Sequence, residues 1–406
     1  MAMASKGKDT PRLKDQAAAA VEGRGDELRH LSLDIHSHPE VAFQEHRASK
    51  LLADYLEANG FRVERGICAM PTAFRASYGG GRPAVAILAE YDALPKLGHA
   101  CGHNIIGTAA AGAGVALKGA VDALGGCVVV FGTPAEEVWG GKVPMVEQGA
   151  FDQVDCALQI HPSGRNAVVN AALACVALDV EFFGKAAHAA AHPDWGINAL
   201  EALVQSYNNI NSLRQHIRPT ARIHGIITDG GEAANIVPAH AAGTFLVRAV
   251  EDDYLDELIG RTLACFQAGA LATGARLEYR FSSARYAAMH ANRVLAEAFR
   301  VNLGRFRDPA SIEAPDRPQA MGSTDMGNVS AVVPAIHPML AVAPPEVSLH
   351  TPEFVRWAAA PEGQQALLDG TRALALTAID VLSDPALLAA AKMEFEAGKA
   401  TGWKEG

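Results

Sequence analysis

The sequence predicts an α/β chain of two domains, the second inserted into the first, on three observations. Its 406 residues exceed what one hydrophobic core usually supports. Wholly apolar runs at 84–89 and 126–132 alternate with helical segments, as in a sheet buried under helices. From 176 to 281 the order changes to strand-helix-strand-strand-helix-strand, a ferredoxin-like α+β unit, after which the first pattern resumes. The expected boundaries are 1–174 and 289–406 for the discontinuous first domain and 175–288 for the inserted one.

Each element has its own warrant. Residues 1–25 carry charges and no apolar core, so a ragged start followed by a helix is expected rather than a signal peptide. Helical periodicity over 26–58 breaks at His38-Pro39-Glu40. Strands follow at 61–63, 73–78 and 84–89, then a small-residue helix over 105–117, the Val-rich strand 126–132, a short helix at 143–149 and a strand at 156–160. In the insert, an alternating strand at 176–183 leads to a helix over 197–213. Strands at 221–228 and 236–250, a helix over 253–270 and a strand at 275–281 complete it. A helix over 291–303, a strand around 329–334 and a helix over 364–380 close the first domain.

Bulk properties exclude several classes. Hydrophobic residues at 49% and charged residues at 20% are ordinary for a soluble globular protein. A net charge of −10, without any Lys/Arg cluster, gives no support for a nucleic-acid partner. No apolar run is long enough to span a membrane. The six cysteines have no disulfide-framework spacing and read as reduced thiols in a cytoplasmic protein, most of them small core hydrophobes.

Polar chemistry collects where apolar strands end, the usual location of sites in α/β sheets. Residues 88–104 hold Glu90, Asp92, His99, Cys101 and His103 between a strand and a helix. By itself a Cys-x-His reads first as a buried thiol beside a capping imidazole; ligands arriving from other strands decide for a metal half-site. Glu136-Glu137 follow the next apolar strand and precede Gly140-Gly141, which leave room for close approach. His161 ends the strand after that, and His350 falls in a late loop. One thiolate, three imidazoles and a carboxylate are too many for one tetrahedral zinc and suit two metals sharing a ligand. The mixed donors favour zinc, with manganese or cobalt as alternatives.

Four motifs in chain order carry a family resemblance: residues 90–104, Gly132-Thr133-Pro134-Ala135-Glu136-Glu137, Gly184-Lys185-Ala186-Ala187-His188, and Gly231-Glu232-Ala233-Ala234-Asn235-Ile236-Val237-Pro238. From about His36 to His350 the chain resembles the M20 metallopeptidase family. It is most similar to the aminoacylase-like amidohydrolase branch with Cys-Gly-His, within the group of p-aminobenzoyl-glutamate hydrolases and β-alanyl-lysine-type dipeptidases. One departure is Asn104, where many members have Asp followed by a further His.

The resemblance implies a mixed-sheet, zinc-peptidase-like catalytic domain with a lid/dimerisation insert, hence a homodimer or higher homo-oligomer. It implies metal ligation by Cys101, His103, Glu137, His161 and His350, a general base at Glu136, and Asp92 behind a ligand imidazole. His188 would steady the oxyanion, in dimeric relatives across the subunit interface, and Asn235 would bind substrate. Arg248 is a further candidate, for a substrate carboxylate. The implied reaction is hydrolysis of an amide in a small N-acyl amino acid, dipeptide or aminobenzoyl-glutamate-like substrate. A hydrolytic deaminase, or another hydrolase of non-peptide C–N bonds, would use the same water and base. A non-catalytic metal protein would have no need of Glu136.

Overall fold

The structure, a computed structural model, describes residues 3–313 and 319–403, so the first two residues of the ragged start and the last three of the chain lie outside it. It divides into two compact units, Met1–Ala171 with Met289–Gly406, and Ala172–Ala288.

The first unit is built on a six-stranded mixed sheet in the order Arg62–Arg65, Phe74–Gly80, Gly126–Thr133, Ala84–Glu90, Cys156–Leu158, Ala335–Ile336. The first two strands pair antiparallel and the last four run parallel. Every residue of Ala84–Glu90 is buried, which is why that run reads as continuous apolar sequence. Because the last four strands share a direction, their carboxyl ends share one edge. Glu90 ends one, Glu136 lies just beyond another, and His161 and His337 follow the remaining two.

The helix His103–Ala116 leaves this edge and is buried along its whole length. Its small residues are a packing requirement, since a Cβ on Gly107 would lie 2.7 Å from the Glu90 carbonyl oxygen. The helices Met3–Gly23, Gly25–Ser37 and Pro361–Ser383 pack against it. Asn104 is buried and donates to Ser32 Oγ at 2.9 Å and to the Ala358 carbonyl at 3.3 Å. The residue departing from the family pattern therefore braces helices.

The second unit is a four-stranded antiparallel sheet in the order Arg222–Asp229, His240–Ala249, Ala174–Phe183, Arg276–Phe281. The helices Ala199–Leu213 and Asp252–Thr273 pack on it. Val176, Leu178, Val180 and Phe182 alternate inward from one strand onto Phe245 and Phe266.

Three expectations need correction. The strand placed around 329–334 is instead the end of the helix Met326–Ser330 and a turn, and the strand proper is Ala335–Ile336. Thr324 Oγ1 accepts from Met326 N at 3.2 Å, and this local turn overrides the strand preference of the valines. The strand expected from 236 starts only at His240. Before it, Val237 N donates to the Ala187 carbonyl at 2.9 Å, so that segment pairs with the His188 loop. The helices Pro352–Ala359 and Pro385–Thr401 were not anticipated. Among the described residues no single helix is long and apolar enough to cross a membrane.

Candidate metal centre

Backbone geometry delivers the ligand types. Gly102 sits at φ 77°, turning the chain so that Cys101 and His103 flank one corner. A Cβ there would come within 2.8 Å of Pro162, the neighbour of His161. Ala135 and His350 adopt left-handed φ values of 63° and 62° without being glycine, a conformation that costs energy and is kept where the surroundings enforce it. His350 N donates to the Ala100 carbonyl at 3.0 Å, tying the late loop to the Cys101 corner.

The five predicted ligands converge. Cys101 Sγ lies 3.3 Å from His161 Nε2. His103 Nε2 is 3.7 Å from Glu137 Oε1, and His350 Nε2 is 3.5 Å from Glu137 Oε2. Donor atoms of Cys101, His103 and His161 fall within 4.8 Å of one another, as do those of Cys101, Glu137 and His350, and of His103, Glu136 and Glu137. Cys101, His103 and Glu137 each belong to two of these groups, so the groups adjoin and any of the three could serve two cations.

Asp92 organises the cluster: Oδ1 accepts from His103 Nδ1 at 2.9 Å and Oδ2 from Glu137 N at 3.0 Å. With Nδ1 committed, Nε2 is the His103 nitrogen left available to hold a cation, as in carboxylate–histidine–metal arrangements. Among the described residues, His103 Nε2, Glu137 Oε1 and Glu90 Oε2 are buried with no hydrogen-bond partner. An unmet buried polar atom costs about 1–3 kcal/mol, a cost that a cation held by His103 Nε2 and Glu137 Oε1 would remove.

Electrostatics agree. Burial first, then the charges of Glu90 and Glu137, hold the Glu136 carboxyl well above the usual range. Burial, then Glu137, pushes the Cys101 thiol well up. Burial lowers the His161 imidazole to about 4, keeping it neutral. For His103, burial is outweighed by Asp92 and the Cys101 sulfur, and the ring is raised well above its ordinary value. Carboxyl and thiol groups therefore crowd one buried space, where divalent cations would supply the balancing charge. Thiolate, imidazole and carboxylate donors fit zinc, manganese or cobalt.

Sequence reasoning underrated Glu90. Its Oε2 is 3.6 Å from His103 Nε2, and its Oε1 accepts from Lys142 Nζ. Lys142 is fully buried and also donates to Asp325 Oδ1 at 2.7 Å. Glu90, Glu136 and Asp325 would otherwise resemble a further cation group, but the Lys142 ammonium already occupies it. His99 contributes no ligand; it is buried against His36, with ring centroids 6.0 Å apart.

The remaining predicted residues belong to the second unit. His188 and Asn235 are exposed neighbours: Ala189 N donates to the Asn235 carbonyl at 3.0 Å, and His188 Nδ1 accepts from Ala190 N at 3.2 Å. Arg248 is not brought to them. It sits near the far end of the strand His240–Ala249, about 26 Å along the strand from its start.

Comparison with known proteins agrees with this geometry. Residues 86–372 match the model of peptidase family M20/M25/M40. The chain is 38% identical to mouse (Mus musculus) Xaa-Arg dipeptidase over 95% of its length and 92% of the relative's. It is 37% identical to one of the two p-aminobenzoyl-glutamate hydrolase subunits of Escherichia coli K12, over 71% of the chain and 64% of the relative. The Bacillus subtilis YXEP protein, described as a dinuclear metal-binding peptidase of the M20 family, superposes with a TM-score of 0.68 at 20% identity, covering 89% of this chain and 99% of that one. The protein belongs to peptidase family M20/M25/M40.

Proposed function

We propose that this protein is a metal-dependent hydrolase that cleaves the amide bond of a small N-acyl amino acid, dipeptide or aminobenzoyl-glutamate-like substrate, with Glu136 as general base. The observation that carries the reading is one buried carboxyl, Glu136, set against a cluster of donor groups in which His103 Nε2 and Glu137 Oε1 have no hydrogen-bond partner. Cys101, His103, Glu137, His161 and His350 would hold two divalent cations. When bound, such a pair polarises the scissile carbonyl and lowers the pKa of water toward about 7.

The chain's own groups do the rest. Glu136 takes a proton from the attacking water at a carboxylate oxygen and returns it to the leaving nitrogen. Its raised pKa suits both halves of that transfer, since a carboxylate of ordinary pKa is a weak base toward water and does not keep the proton at neutral pH long enough to pass it on. Asp92 keeps the His103 Nδ1 proton in place, fixing the tautomer. Lys142 and Asp325 hold Glu90 against the site, keeping its charge beside the cluster.

The second unit serves in this reading as the lid and as the surface through which two copies associate. His188 steadies the developing oxyanion and Asn235 binds substrate; Arg248, distant from both along its strand, takes a separate part of a substrate or pairs with a surface acid. The relatives' names support small amides as substrates, and six cysteines without a disulfide-framework spacing suit the reducing cytoplasm. The test is a screen of N-acyl amino acids, dipeptides (basic residues included) and p-aminobenzoyl-glutamate, after chelation and reloading with zinc, manganese or cobalt. Release of an amino acid is expected; release of ammonia alone would favour a deaminase.

A further inference from the structure

Glu45 is a fully buried carboxylate outside the ligand set, in the turn that precedes the helix His46–Ala58. Its Oε1 accepts from Phe43 N at 2.9 Å and from Ala135 N at 2.9 Å, and its Oε2 accepts from Thr72 Oγ1 at 3.0 Å. Phe43 and Ala135 both hold left-handed backbones, at φ 60° and 63°, without being glycine. One oxygen atom thus clamps two strained peptides that lie 92 residues apart in sequence (43 to 135). The second of them immediately precedes Glu136. Thr72 is held in turn, because its carbonyl accepts from the buried Tyr91 hydroxyl at 2.5 Å. The opposite side of the same turn is fixed by Glu137 N on Asp92. Between these two anchors lies only Glu136.

We infer that Glu45 is a positioning residue for the general base: by holding Ala135 N it keeps the left-handed turn that aims the Glu136 carboxylate. This rests on the assignment of Glu136 as the base. A base displaced by about 1 Å loses about 10²-fold in rate while ligands and substrate contacts stay in place. The hydrogen-bonding oxygen matters rather than the charge. Burial, then the nearby Asp92 charge, raises the Glu45 carboxyl to about 7, so a neutral amide is a close mimic. The Gln oxygen can accept both backbone N–H groups while the Thr72 hydroxyl turns to accept from the amide nitrogen.

The experiment compares Glu45→Ala, Glu45→Gln and the double variant Glu45→Ala/Ala135→Gly in the metal-loaded full chain, reading kcat, KM and metal per chain. Glu45→Ala is expected to lower kcat about 10²-fold with KM and metal content held, and Glu45→Gln to stay within about threefold of wild type. Glycine takes the left-handed backbone without a clamp, so Ala135→Gly should restore at least tenfold of the loss. Unchanged kcat in Glu45→Ala, metal loss in step with activity loss, or no rescue by glycine would each overturn the inference. If Glu45→Ala does not fold, Thr72→Val, alone and combined with Ala135→Gly, reads the same coupling: a kcat loss that the glycine substitution reverses supports the clamp, and its absence refutes it. Wild-type turnover by Glu136→Gln would instead refute the base assignment, so the two failures are distinguishable.

Discussion

Replacing Asp92 by Asn tests how the cluster is held together. The carboxylate accepts one hydrogen bond on each oxygen, from the His103 ring and from Glu137 N. An amide presents one oxygen and one NH2, so it can accept from only one of them. If it keeps Glu137 N, its NH2 faces His103 Nδ1 and drives the ring to the tautomer protonated on Nε2, which cannot ligate. If it keeps the ring, its NH2 opposes the peptide N–H and pushes the Glu137 turn away. Either way one charge-assisted hydrogen bond is lost, a change of about 1.5–3 kcal/mol. At about 1.4 kcal/mol per tenfold, that is about 10–150-fold in cation affinity, in the range seen for groups that orient metal-bound histidines. Competition against a chelator of known affinity measures it directly. Affinity within twofold of wild type in Asp92→Asn would refute the reasoning.

Other outcomes follow from the same geometry. Cys101→Ala removes the donor common to two of the groups, so metal analysis should show both equivalents weakened; retention of two full equivalents would remove the thiol from the ligand set. Lys142→Met leaves Glu90 and Asp325 buried without their cation, and the urea midpoint should fall by an amount equivalent to about 3–5 kcal/mol; an unchanged midpoint would contradict the ion-pair role. His99 sets a pH dependence. Burial, then the charge of His103, lowers its imidazole to about 3 against an ordinary value of 6.5. The unfolded chain then binds more protons between these values, so stability is full above pH 6.5 and falls as the pH drops toward 3. The slope contributed is about 1.4 kcal/mol per pH unit. In chelated protein, His99→Phe should flatten the urea midpoint between about pH 6.5 and about pH 5; an equal slope in both proteins would refute it.

Much of this arrangement was legible in the sequence because burial writes a one-dimensional signal. The runs ending at Glu90 and preceding Glu136 are apolar since both faces of those strands are covered, and polar residues just beyond them stand out. Cys101, His103, Glu137 and His161 are visible for that reason, while His350, in a late loop with no apolar strand directly before it, is the weakest signal of the five. What stayed hidden depends on long-range pairing. Nothing near Lys142 in sequence announces that it joins Glu90, 52 residues away, and Asp325, 183 residues away. Glu45 falls within the helical periodicity expected over 26–58, and only the fold starts the helix at His46 and brings the carboxylate to Ala135. The valines at 329–333 show the converse, an apolar run whose conformation is set by the Thr324 turn before it.

The measurement that bears most directly on the central claim is metal content and kcat of Glu136→Gln beside the wild type. Two equivalents of divalent metal in both proteins, with kcat in the variant lower by about 10²–10⁴-fold, is the expected result. Wild-type turnover by Glu136→Gln, or a fully active wild type holding no stoichiometric metal, would contradict the account.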